Sequence, residues 1–119
     1  MEVLTNETFR DKVFDYQKEK EWVFSGGRPA IVDFYADWCA PCRALSPVLE
    51  ALAKDYAGQI DIYKVNTEET PELSAAFGIR GIPALLFIPK EGKPSMATGF
   101  LPRESLEAAI GELFQLERK

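Results

Sequence analysis

The chain has 119 residues, 46% of them hydrophobic and 28% charged, which is ordinary for a globular protein, so one domain over residues 1–119 with a sizeable core is expected. Its net charge of −5 argues against nucleic acid or an anionic membrane as the main partner, because each attracts a basic face. No apolar run approaches the ~20 residues of a membrane span, and residues 1–10 mix charged and polar types where a secretory leader has an apolar centre.

Glu2-Val3-Leu4 reads as a short edge strand. Thr5 or Asn6 is placed to cap a helix that buries Phe9, Val13 and Tyr16. The charged run Lys18 to Glu21 reads as a solvated helix face, with Trp22 and Phe24 as packing residues. Ser25 to Pro29 is a turn dense in breakers. Ala30 to Ala36 is apolar apart from Asp33, as a central strand covered on both faces would be. A carboxylate in such a run is costly to bury without a partner or a purpose. Ala36 to Ala40 is the turn into a helix over Arg43 to Tyr56. Pro41 stands near its start, where a missing N–H costs nothing. Leu45, Val48, Leu49, Leu52 and Tyr56 follow at helical spacing, Pro47 is expected to kink the helix, and Gly58 suits its end.

Ile60 to Val65 alternates, with Ile60, Ile62 and Lys64 on one face; a lysine there is the second anomaly. Thr67 to Phe77 reads as a short helix with Pro71 in an early turn. Gly78 to Pro83 is a rigid, glycine-punctuated approach to the apolar strand Ala84 to Ile88. Pro89 to Pro94 turns about Gly92 into a strand over Ser95 to Phe100, broken by Gly99. Pro102 opens the last helix, with Leu106, Ala109, Ile110 and Leu113 as its buried stripe. Glu104 in its first turn, and Arg118 and Lys119 beyond its end, match the helix dipole. The order is β-α-β-α-β-α-β-β-α. Alternating strands and helices give parallel pairs through right-handed crossovers, and the last two strands form an antiparallel pair. The predicted architecture is α/β, a mixed sheet of four to five strands with helices on both faces.

The only two cysteines, Cys39 and Cys42, are two residues apart where a strand hands over to a helix. That placement reads as a redox dithiol. Unpaired N–H groups and the positive end of the dipole stabilise a thiolate at a helix start, so Cys39 should ionise more readily than a free cysteine. The other readings are weaker. Inert core cysteines would not explain the flanking Trp38 and Pro41. A structural zinc usually takes four Cys or His ligands, and the chain has two cysteines and no histidine. No metal and no separate cofactor are therefore expected. The residues alone leave Asp33 as either a functional acid/base or a satisfied buried aspartate, and they leave Pro83 trans, since only ~5–6% of X-Pro bonds in folded proteins are cis.

Trp38-Cys39-Ala40-Pro41-Cys42 resembles the active-site motif of the thioredoxin family. Val32-Asp33-Phe34, Pro47, Lys64, the run Gly78 to Pro83, Gly92 and Gly99 fall where that family carries the same residue types. The resemblance covers the chain from about Ala30 onward and is weaker before it. The segment Tyr16 to Pro29 is longer than the family's usual connection, and Ala40 stands where the family usually has glycine, which should shift the redox potential without abolishing activity.

The resemblance implies the thioredoxin fold and a thiol-disulfide oxidoreductase that reduces partner proteins. Cys39 would be the exposed nucleophile and Cys42 the buried resolving thiol. Asp33 would be the acid/base beneath the pair, with Lys64 near it. Pro83 would be cis and face the cysteines. Trp38, Ala40, Pro41, Ile82, Gly99 and Phe100 would form the surface that grips an extended substrate, and backbone groups around Ile82 would pair with it. The implied partners are disulfide-containing proteins and a flavin reductase of the thioredoxin-reductase type, with the protein a monomer. The absence of a histidine between the cysteines favours a reductant over an oxidase or isomerase of the cell envelope. A binding module on the same fold is the competing class, and a retained Asp33 argues against it. A cytoplasmic setting is expected, with the envelope as the alternative if a leader is removed.

Overall fold

A computed structural model describes residues 1–118. Its elements are β1 (Glu2–Val3), α1 (Asn6–Lys12), β2 (Ala30–Tyr35), α2 (Ala40–Asp55), β3 (Asp61–Asn66), α3 (Pro71–Ala76), β4 (Ala84–Ile88), β5 (Ser95–Thr98) and α4 (Arg103–Phe114). The strands form one mixed sheet in the order β1-β3-β2-β4-β5. β2 lies at its centre, parallel to β3 and antiparallel to β4. β1 extends the sheet beside β3, and β5 beside β4.

Side chains alternate across a strand, so the inner strands β2, β3 and β4 each supply two cores. Ala30, Val32 and Phe34 of β2 point to one face, where they pack with Phe9, Val13, Val65, Leu73, Leu86 and Ile88. Ile31 points to the other, where Leu45, Leu49 and Leu52 of α2 meet Ile62, Leu85, Phe87 and, from α4, Leu106 and Ile110. Helices therefore cover both faces, as predicted. α2 runs unbroken through Pro47. The turn from β4 to β5 passes through Gly92 at φ 100°, a left-handed conformation that favours glycine.

Of its two possible caps, Thr5 and Asn6, α1 uses Thr5. Thr5 Oγ1 accepts from the Thr8 amide at 3.1 Å, and Thr8 Oγ1 accepts from the Thr5 amide at 2.8 Å, a reciprocal capping arrangement. The helix ends at Lys12, so Tyr16 lies beyond it and the run Lys18 to Glu21 is turn and bend, not a helix face. The reason is local: a turn forms at Asp15, whose carboxylate accepts from the amides of Gln17 and Lys18, competing with helix continuation. The third helix starts at Pro71 instead of Thr67. Asn66 causes the delay, because its carbonyl accepts from the Thr70 hydroxyl at 2.8 Å and its side chain from the Glu68 amide at 3.0 Å. The β5 strand stops at Thr98, before Gly99. Lys119, paired above with Arg118 as a cation beyond the last helix, lies outside the described residues.

Two buried polar groups tie α2 to α4. Tyr56, at the end of α2, is fully buried, and its hydroxyl donates to Glu107 at 2.8 Å. Arg103 Nε donates to the other oxygen of Glu107 at 3.0 Å. Glu107 falls on the buried side of α4 together with Phe114, which the apolar spacing did not single out.

The long connection from Tyr16 to Pro29 packs onto the core on the α1/α3 side of the sheet, through Tyr16, Trp22 and Phe24. Trp22 packs against Phe14 with ring centroids 4.7 Å apart, and against Phe24 and Phe77 at 6.4 Å each. Trp22 and Phe24 are thus packing residues, as expected. Truncating a half-buried tryptophan removes these contacts, so Trp22→Ala should cost about 2 kcal/mol in urea unfolding while leaving unchanged the rate at which a small dithiol reduces the Cys39–Cys42 disulfide.

Candidate active site

At the C-terminal end of β2 the chain turns once and enters α2. Cys39 is the cap residue of that helix, with extended backbone (φ −85°, ψ 109°), and its sulfur accepts the amide N–H of Cys42 at 3.3 Å. The first amides of a helix have no partner inside it, so this sulfur stands where other helices place a hydroxyl or carboxylate. Pro41 occupies the first turn, where a residue without an N–H forfeits nothing. Cys39 and Cys42 form a disulfide with Cα atoms 5.2 Å apart. Ala36, Cys39 and Cys42 make a small apolar cluster completed by Tyr35 and Ile82.

The expectation that Cys39 alone is exposed is not met. In the disulfide state Cys39 is 4% exposed and Cys42 3%. The asymmetry between them lies in hydrogen bonding and neighbours. Cys39 Sγ lies 3.8 Å from the Ile82 carbonyl oxygen, which covers it. Cys42 borders a surface pocket of about 210 Å³, shared with Tyr35, Ala36, Asp37, Arg43, Ser46 and Lys64. A larger cavity of about 690 Å³ lies between Lys20, Glu21, Trp22 and the turn at Gly92, Lys93 and Pro94, and none of the predicted site residues lines it.

The Ile82–Pro83 peptide is cis, as the resemblance implied. Pro83 is buried and Ile82 half-buried. The Gly99 amide donates to the Pro83 carbonyl at 2.8 Å, with Gly99 at φ 100°, so the end of β5 is held against this loop. Trp38, Ala40, Pro41 and Phe100 are exposed, Trp38 at 67%. Apolar surface of that kind beside a reactive sulfur suits contact with another protein.

Asp33 belongs to the face of β2 that α2 covers, the face of Ile31. It is fully buried, and neither carboxylate oxygen has a hydrogen-bond partner among the described residues. Desolvation raises its pKa from 3.8 to about 6, with the charge of Lys64 acting in the opposite direction. Lys64 is its direct neighbour across the β2–β3 pairing. Even so, the ammonium makes no ion pair with Asp33. It donates to Ser46 Oγ at 3.3 Å and lies 4.2 Å from the centre of the Tyr35 ring. Ser46, Tyr35 and Arg43, whose guanidinium donates to the Asp37 carbonyl at 2.9 Å, went unremarked in the sequence. For Ser46 a signal existed: it is four residues after Cys42, hence on the same side of α2. Among the described residues no group of three or more Cys, Asp or Glu could hold a metal.

A sequence model of the family described as thioredoxin matches residues 1–112. Thioredoxin of Borreliella burgdorferi is 50% identical over 111 residues, covering 93% of this chain and 95% of that protein. Thioredoxin of Alicyclobacillus acidocaldarius is 42% identical over 91 residues, covering 76% and 86%. The crystal structure of chloroplastic thioredoxin z superposes with a TM-score of 0.80 at 28% identity, covering 95% of this chain and 93% of the other.

The raised pKa of Asp33 carries a sign for stability. Folding strengthens its hold on the proton, so the charged form opposes folding. The penalty is absent below about pH 4, grows as pH rises towards 6, and levels off near about 3 kcal/mol above that. Asp33→Asn should therefore unfold like the parent protein at pH 3.5 and resist urea better by about 1–3 kcal/mol at pH 7.5. Equal stability of the two proteins at pH 7.5 would contradict the burial argument.

Proposed function

The chain belongs to the thioredoxin family and is a protein-disulfide reductase, and from that premise we propose which residues carry the reaction. The observation that supports the assignment is Cys39 as the cap of α2, bonded to Cys42 one turn along and facing the cis Ile82–Pro83 loop. In the reduced protein the amide of Cys42 and the helix start stabilise a Cys39 thiolate. That thiolate attacks one sulfur of a partner disulfide. The partner's other sulfur leaves as a thiolate and takes a proton, and a Cys39–partner disulfide remains.

Cys42 then loses its proton, attacks Cys39 Sγ and displaces the partner's second sulfur. Two electrons pass to the partner, and the Cys39–Cys42 disulfide is what remains. Asp33 is the proposed base for the second step, since a buried carboxyl titrating near 6 is ionised at neutral pH yet retains affinity for a proton. Lys64 modulates its charge. Trp38, Ala40, Pro41, Ile82, Pro83, Gly99 and Phe100 form the proposed docking face, with the Ile82 backbone pairing to an extended segment of the partner. Ala40-Pro41 between the cysteines, with no histidine in the chain, supports net reduction, because no imidazolium stabilises the thiolate further. Residues 1–119 act as one monomeric domain. Its redox group is the cysteine pair itself, its targets are disulfide-containing proteins, and a flavin-dependent reductase returns the electrons. A reductant of this kind suits the cytoplasm, where thiols are kept reduced. No helix among the described residues is long and apolar enough to cross a membrane.

The direct test is the turbidity that develops as a two-chain disulfide protein is reduced, with dithiothreitol as electron source. Cys39→Ser should abolish the catalysed rate. Cys42→Ser should accumulate covalent adducts with partner proteins, visible on non-reducing gels; normal turnover by that variant would refute the two-step scheme. Asp33→Asn should be slower near pH 7 by roughly tenfold or more, with the deficit shrinking as pH rises and hydroxide replaces the base. Superimposable pH–rate profiles would remove Asp33 from the mechanism.

A further inference from the structure

Lys64 stands directly across from Asp33 in the β2–β3 pairing, yet its ammonium points elsewhere. A buried carboxylate without a hydrogen bond and a cation on the adjacent strand would ordinarily form an ion pair, since each lowers the other's cost. Here the ammonium is occupied from two sides. Ser46 Oγ, on α2, accepts from it at 3.3 Å, and the Tyr35 ring, two residues after Asp33 on β2, faces it at 4.2 Å. Both contacts draw it into the pocket bordered by Cys42, Arg43 and Asp37.

We infer that Ser46 is a positioning residue that holds the Lys64 ammonium in the pocket beside Cys42 and away from the Asp33 carboxylate, and thereby sets the proton affinity of Asp33. The consequence for catalysis rests on the reading of Asp33 as the base. An ammonium swung onto Asp33 would stabilise the carboxylate and make it a poorer proton acceptor. Held by Ser46, it leaves the carboxyl dominated by desolvation. The groups that face Lys64 are Asp33 and Tyr35 from β2 and Ser46 from α2, with Arg43 of α2 and Asp37 of the preceding turn also bordering the pocket. Lys64 is the charge that acts on Asp33. Cys42 and Ser46 lie on one side of α2, so the helix that carries the resolving thiol also carries the lysine's anchor.

The test follows the Asp33 carboxyl carbon by NMR through a pH titration of the oxidised protein. It compares the parent with Ser46→Ala, Ser46→Thr, Lys64→Gln and the Ser46→Ala/Lys64→Gln pair. Ser46→Ala should lower the Asp33 midpoint by about half a pH unit, because the freed ammonium reaches the carboxylate. Ser46→Thr, which keeps the hydroxyl, should restore the parent value. Lys64→Gln should raise the midpoint, and adding Ser46→Ala to it should change nothing further. An unmoved midpoint in Ser46→Ala, or an equal drop in the Lys64→Gln background, would overturn the proposal. The pH–rate profile of partner reduction is read on the same proteins. If the midpoint shifts and the acid limb of the rate does not follow, the positioning role stands and the assignment of Asp33 as base fails.

Discussion

β2 is hydrogen-bonded along both edges and covered on both faces, and every reactive group of the protein depends on that confinement. The end of this strand that matters for the cysteines is its C-terminal one. There the chain leaves the sheet, turns through Ala36 to Trp38 and starts α2. The turn exposes the unpaired amides of a new helix at the spot where the sheet places Cys39. The cap position, the apolar cluster of Ala36, Cys39 and Cys42, and the approach of the Ile82 carbonyl follow from one strand being central and one helix being packed along it.

The same confinement explains the fold's one expensive choice. Asp33 is the single carboxylate on β2, on the face that α2 seals, and its pKa is raised by desolvation. A leucine at this position would suit the core better on transfer grounds. Elsewhere the protein satisfies its buried acids. Glu107, also on a covered face, receives hydrogen bonds from Tyr56 and Arg103, and it joins two helices as a structural group. The contrast between a bonded Glu107 and an unbonded Asp33 separates a carboxylate that ties two helices together from one left unsatisfied on the strand that leads to the cysteines.

Arrangement around the cysteines is divided between the two ends of the sheet's interior. The cis-proline loop covers Cys39 through the Ile82 carbonyl, and Gly99, just after β5, steadies that loop through the Pro83 carbonyl. β3 and α2 border Cys42, through Lys64 and Ser46. The proposed docking face and the proposed proton-handling groups are thus carried by different segments, the first near Cys39 and the second near Cys42. The segment from Tyr16 to Pro29 touches neither. Trp22 and Phe24 spend their apolar surface on Phe14 and Phe77, thickening the layer over the far side of the sheet.

Short-range pattern was enough to read the order of elements, the bounds of the Ala84–Ile88 strand, the central place of the strand expected over Ala30 to Ala36, which ends one residue earlier at Tyr35, and the cysteine pair at a helix start. Those features are dictated by hydrophobic period, breakers and spacing, all of which act within a few residues. Pattern failed where a local side-chain bond competed with helix propensity, at Asp15 and at Asn66, and so misplaced a helix face over Lys18 to Glu21 and began α3 too early. It also could not say where long side chains end. Asp33 and Lys64 were visible as anomalies, but only the folded structure decided that Lys64 turns to Ser46 and Tyr35 and not to Asp33, that Glu107 meets Tyr56, and that both cysteines are covered in the disulfide state. The reason is physical: these outcomes depend on which groups from separate segments are brought together, and on how much water the packing leaves between them.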